Sequence, residues 1–88
     1  MDDDAHRVPI EDAIDLHTFR PAEIPSVVDE YVRSAHGAGL REVRLIHGRG
    51  KGVQRGIVQN ALEQHPLVVE FWDAAETHLG ATVARLSD

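Results

Sequence analysis

Cysteine is absent from the 88 residues. That rules out both a disulfide framework and a thiolate metal site, so any bound metal would have to be held by His, Asp or Glu, and it fits a reducing compartment. Long apolar runs are missing too: nothing approaches the roughly 18 residues of a membrane span. The start, MDDDAHRV, lacks the basic opening and apolar stretch of a signal peptide. A soluble cytoplasmic protein with no membrane partner is expected. Internal repeats and low-complexity tracts are also lacking.

What is present is ordinary globular material, 42% apolar and 27% charged. A chain this short makes one domain with one compact core, a single sheet covered by two helices, and it leaves no room for a cofactor crevice between domains.

Basic residues are outnumbered, nine against fifteen acids, for a net charge of −6. That balance looks hostile to nucleic acid, whose affinity comes largely from Lys and Arg neutralising phosphates. The distribution is uneven, however. Arg41, Arg44, Arg49, Lys51 and Arg55 fall within fifteen positions where Glu42 is the only acid, while Asp2, Asp3, Asp4, Glu11 and Asp12 crowd the start. Residues 1–12 carry no hydrophobic period and read as a flexible acidic leader to a domain over 13–88, and such a start also suits a piece of a longer protein.

After the leader, AIDLH alternates, with Ile14 and Leu16 on one face and Asp15 and His17 on the other, as in a half-buried strand. Ile24, Val27, Val28, Tyr31, Val32 and Ala35 then fall on one helical stripe. Pro21 and Pro25 mark its start, and Gly37 and Gly39 its stop. EVRLIH is a second strand ending at His47. A second helix follows, with Val53, Ile57, Val58, Ala61 and Leu62 as its apolar positions and Pro66 beyond its end. LVVEFWD and ATVARL complete the set as two further strands. The order βαβαββ predicts a two-layer α/β sandwich, a four-stranded mixed sheet with two helices on one face. Its two crossovers imply parallel pairing among the first three strands.

Between the second strand and second helix lies LIHGRGKGVQRG, with four of the seven glycines. A glycine-rich turn from a strand into a helix points backbone N–H groups outward at the positive end of the helix dipole, which is a place for an oxyanion. The amides of Gly48, Gly50 and Gly52 would approach a phosphate, and Arg49, Lys51 and Arg55 would add charge. Known phosphate patterns fail here. A P-loop would need Gly at position 45, which is Leu, and Ser or Thr at 52, which is Gly. Gly48, Gly50 and Gly52 make G-x-G-x-G, not G-x-G-x-x-G. As a bare pattern such a turn can also be a plain connector.

His17 and His47 both end a predicted strand, at the sheet edge where α/β proteins bind ligands. With the first two strands adjacent and parallel, Asp15, His17 and His47 converge beside the glycine loop. Imidazoles can move protons and a carboxylate can orient them, so the trio suits phosphodiester cleavage. His6, His36, His65 and His78 read as structural or surface residues. No tight His spacing marks a zinc centre. The metal is unknown from this pattern, though Mg²⁺ or Mn²⁺ carried partly by substrate phosphates is compatible with it. Of Phe71 and Trp72, adjacent on one strand, one should face the core and the other solvent, where it could stack on a base.

IDLH, LIHGRGKG and LGATVARL, in that order and spacing, resemble the three signature blocks of the Smr (small MutS-related) domain, roughly L-D-L-H-G, I-H-G-x-G-x-G and G-x-T-V-V-x-L. The likeness covers residues 13–86. It implies the same βαβαββ sandwich and a nucleic-acid-binding endonuclease that nicks or cleaves DNA or RNA. Its partners would be branched or duplex DNA, RNA or the ribosome, in settings such as DNA repair or RNA binding. A binding module of the same fold that does not cut is the alternative. Asp15, His17, His47, Gly48, Gly50 and Gly52 take the family's site positions. Thr18 stands where the family has Gly, and Ala84 where it has a larger apolar residue.

Overall fold

A computed structural model describes residues 10–50, 52–75 and 80–88. Most of the expected leader, His6, Lys51 and His78 lie outside the described residues.

Strand β1 (Ala13–Asp15) is short. After it, Leu16 is fully buried while Asp15 and His17 stay exposed, the alternation expected of AIDLH. A single 3-10 turn (Pro21–Glu23) leads into helix α1 (Ile24–Gly37), and the Arg20 amide donates to Glu23 Oε1 at 3.1 Å. Pro25 falls in the first turn of α1, where a missing N–H leaves no helical bond unmade. Ile24, Val28, Val32 and Ala35 form the buried stripe of α1, and Gly39, with φ of +92°, turns the chain into β2 (Glu42–Ile46). Helix α2 (Val53–Glu63) buries Val58 and Leu62. Strands β3 (Val68–Asp73) and β4 (Ala81–Leu86) complete the chain.

The sheet order is β1-β2-β4-β3. Only β1 and β2 pair in parallel; β4 is antiparallel to both its neighbours. The expectation of three adjacent parallel strands therefore fails at β3, which lies one place further out. Burial accounts for this. In β4, Ala81, Thr82, Val83, Ala84 and Leu86 are all buried, as suits a central strand with a neighbour on each side, whereas β3 exposes Val69, Glu70, Trp72 and Asp73 and suits an edge.

Residues of α1 and α2 join Val43 and Leu45 of β2 and Ala84 and Leu86 of β4 in one apolar cluster, which places both helices on the same face. Phe71 packs against that cluster from β3, while its neighbour Trp72 is 41% exposed. On the opposite face Ile46 packs on a smaller cluster of Ala74, Ala81 and Val83. Strand directions bring the ends of β1, β2 and β3, the start of β4 and the N-terminus of α2 to one edge of the molecule.

Candidate functional site

The glycine loop leaves β2 at that edge and is fastened from below by Gly80, just ahead of β4. Gly80's carbonyl accepts the amides of His47 and Gly48, both at 2.9 Å. The approach is so close that a Cβ on Gly80 would lie 2.3 Å from the Gly48 carbonyl oxygen, and Gly80 has φ of +63°. No other residue fits there without moving the loop. Gly48, with φ of +90°, turns the chain immediately after His47. Its amide is committed to Gly80, so Gly48 contributes its conformation and its carbonyl. Past it, the amides of Arg49, Gly50 and Gly52 make no bond within the described backbone outside helices and strands.

A cavity of about 290 Å³ opens over this loop, lined by His47, Gly48, Arg49, Gly50, Gly52, Arg55, Asp73, Ala74, Gly80 and Ala81. At its inner wall a chain of polar side chains crosses from α2 to β2. Arg55 grips Asp73 with two bonds of 2.8 Å, and Gln59 Nε2 reaches Asp73 Oδ1 at 3.0 Å and Thr82 Oγ1 at 2.9 Å. Thr82 Oγ1 in turn lies 2.9 Å from His47 Nε2, and His47 Nδ1 lies 3.0 Å from the Gly48 carbonyl oxygen. His47 is 3% exposed and Thr82 is fully buried. The guanidinium of Arg55, and after it burial-opposed bonding from Gln59, holds the Asp73 carboxyl below its usual range, and Asp73 raises Arg55 in return.

Across Gly48 stands a second pair. Asp15 Oδ1 bonds His17 Nδ1 and also accepts the His17 backbone N–H at 3.0 Å. The His17 ring bond first, then that amide, lowers the Asp15 pKa, which keeps the carboxylate ionised as an acceptor. His17 therefore carries its ring proton on Nδ1 toward Asp15, leaving Nε2 as the basic nitrogen of a side chain 55% exposed. The pair is beside the loop: a Cβ on Gly48 would touch His17 Cβ at 3.4 Å.

Comparison with known proteins gives this edge a family. Residues 14–87 match the Smr domain. The chain belongs to the Smr domain family. It is 44% identical over 63 residues to an Endonuclease MutS2 of Caldicellulosiruptor saccharolyticus, and 35% identical over 79 residues to one from Clostridium tetani. Those alignments cover 69% and 88% of this chain but 8% and 10% of the relatives, so the chain spans about a tenth of their length. Among solved structures it superposes on the Smr domain of Thermus thermophilus MutS2 with a TM-score of 0.82 at 32% identity, covering 89% of this chain and 100% of that one. The stand-alone small MutS-related protein YdaL of Escherichia coli gives a TM-score of 0.81 at 24% identity, over 97% of this chain and 71% of YdaL, which supports the fold alone.

Within this Smr domain, Asp15 and His17 are bonded to each other, and His17 and His47 flank Gly48 from the ends of neighbouring parallel strands. The two imidazoles face different partners. Arg49, Gly50 and Gly52 line the cavity; Arg55 also lines it but is tied to Asp73. Lys51, named from the sequence, is outside the described residues. Thr18, at the family's Gly position, is exposed, and no described non-glycine residue has a positive φ, so the substitution carries no backbone strain. Ala84 is fully buried in the core. Among the described residues no three His, Asp or Glu side chains gather as a metal-ligand set.

Thr82, Gln59, Asp73 and Gly80 were not singled out from the sequence. Two signals were available: Gly80 and Thr82 take the Gly and Thr of the third signature block, G-x-T-V-V-x-L, and a hydroxyl inside the apolar strand ATVARL must find a partner when buried. Which partner depends on strand order, which no local pattern shows.

Proposed function

We propose that this Smr domain binds nucleic acid at the glycine loop and cleaves a phosphodiester there. The observation that carries the reading is the Asp15–His17 pair set against Gly48, one residue from amides that no described backbone group takes up. A phosphate held by the amides of Arg49, Gly50 and Gly52, with charge from Arg49 and Lys51, would sit within reach of His17 Nε2. That nitrogen would take the proton of the attacking hydroxyl or water, and Asp15 would steady the resulting imidazolium. Negative charge developing on the phosphate oxygens would meet the loop amides and the positive end of α2. His47 belongs to the same site through the loop it anchors. Relatives named as endonucleases support the activity, and a cytoplasmic setting with RNA, branched or duplex DNA, or a ribosomal surface as partner belongs to the same proposal.

The test is incubation of wild type and His17→Ala with labelled single-stranded RNA, duplex DNA and branched DNA, with and without Mg²⁺ or Mn²⁺. Wild type is expected to cut at least one substrate and the variant to lose about 100-fold or more in rate while still binding, the range for removing a general base. Equal cutting by both would remove His17 from the chemistry. Binding without cutting would leave the non-catalytic module, which the commitment of Arg55 to Asp73 does not oppose. No affinity for any oligonucleotide at low salt would point to a domain that docks a protein.

A further inference from the structure

With a neutral His47 ring, the hydrogen-bond chain behind the loop has one consistent assignment of donors. Gly48's carbonyl can only accept, so the His47 Nδ1 facing it must carry a proton. In the neutral ring Nε2 is then a lone pair, and the Thr82 hydroxyl 2.9 Å away must donate to it. With its own proton given to His47, Thr82 Oγ1 is left to accept, and the Gln59 amide nitrogen fills that place. Turning the Gln59 amide over would set its oxygen against the Asp73 carboxylate, two acceptors together, so the order is held from the far end as well.

We propose that Thr82 is a positioning residue for the glycine loop, acting through His47: its hydroxyl keeps the imidazole proton on Nδ1, where it holds the Gly48 carbonyl and presets the next amides for a phosphate. The proposal deepens the function above and rests on it only for the identity of the ligand. Two clamps then act on one residue, Gly48. Gly80 takes the His47 and Gly48 amides from below while His47 Nδ1 takes the Gly48 carbonyl, so the chain emerges toward Arg49 in one orientation. Losing the Nδ1 proton would release the Gly48 carbonyl, whereas a proton on Nε2 would only turn the Thr82 hydroxyl away as donor, in a side chain 3% exposed.

The experiment compares wild type, Thr82→Val and Thr82→Ser by NMR. Imidazole nitrogen shifts of His47 in the wild type are expected to show Nδ1 protonated and Nε2 accepting; a proton on Nε2 would overturn the proposal. Thr82→Val keeps the shape but not the hydroxyl. It should move the Nε2 resonance, speed hydrogen exchange at the His47 and Gly48 amides, and weaken inorganic phosphate, read from the amide shifts of Arg49, Gly50 and Gly52, by about tenfold, the equivalent of one buried hydrogen bond. Thr82→Ser restores the donor and should bring affinity back to within about twofold. Phosphate binding and amide exchange in Thr82→Val equal to wild type would also overturn it, as would loss in Thr82→Ser as deep as in Thr82→Val. Should inorganic phosphate leave the wild-type loop unmoved, the phosphate-binding function fails, while the tautomer and amide exchange still decide whether Thr82 sets the loop.

Discussion

The closest constraint on this edge is a single hydrogen atom at position 80. A methyl there would meet the Gly48 carbonyl carbon at 2.4 Å and the Arg49 nitrogen at 2.9 Å, all backbone atoms that cannot swing aside as a side chain would. Gly80→Ala is therefore expected to push the loop off β4 and to strain the positive φ, costing roughly 1–3 kcal/mol of stability. Urea denaturation reads the loss of stability; loss of phosphate-induced shifts at Arg49 and Gly50 reads the displaced loop. Gly50 makes a useful contrast, since a Cβ there meets nothing within 4 Å and its φ is not positive. Gly50→Ala should leave stability within about 0.5 kcal/mol, so any binding defect would come from the ligand's side of the loop. Both glycines stand in the sequence as equals. Only the backbone trace separates one that the fold requires from one that the ligand would.

Helical stripes and strand alternation were legible because each rests on a local period: Val28 and Val32, or Leu16 between Asp15 and His17, need no knowledge of distant residues. Strand order was not, and the same gap hid the inner wall of the site. With β3 placed beside β2, nothing would bring Thr82 to His47; once β4 enters between them, Leu45 faces Thr82 across the pair and Thr82 faces Asp73. The contact between α1 and residue 11 is another long-range feature. Tyr31 of α1 donates its hydroxyl to the Glu11 carbonyl at 2.5 Å, and burial, followed by the charges of Asp12 and Glu11, pushes its pKa up to about 12. The unfolded phenol ionises near its ordinary value, about 10. Stability from this contact is thus complete below pH 10 and declines as pH rises from there to about 12, the window in which only the folded chain retains the proton. Urea midpoints between pH 9 and pH 11, set against Tyr31→Phe, should fall in the wild type and stay flatter in the variant.

Charge looks different in three dimensions than along the chain. The five basic residues between 41 and 55 do not form one patch: Arg41 lies before β2 at the edge away from the loop and 3.8 Å from Asp88, Arg44 sits mid-strand in β2 and is itself engaged, and Arg55 is locked on Asp73. Among the described residues of that group, Arg49 alone has no ion pair or side-chain hydrogen bond. With Lys51 counted from the sequence alone, the proposed function leaves two charges for a phosphate chain, on a molecule of net charge −6. Counterion release from two contacts gives a slope of log affinity against log salt of roughly −1.4 to −1.8, against roughly −3.5 to −4.5 if all five took part. Measured by fluorescence anisotropy with a labelled oligonucleotide, the shallow slope is expected. Arg49→Ala should flatten it by just under one unit. Asp73→Asn should steepen it by about the same amount and tighten binding, because the amide still accepts from Gln59 but no longer holds the Arg55 guanidinium as an ion pair. A steep wild-type slope that Asp73→Asn leaves unchanged would mean that Arg55 already leaves its carboxylate for the phosphate, and that the latch seen here opens on binding.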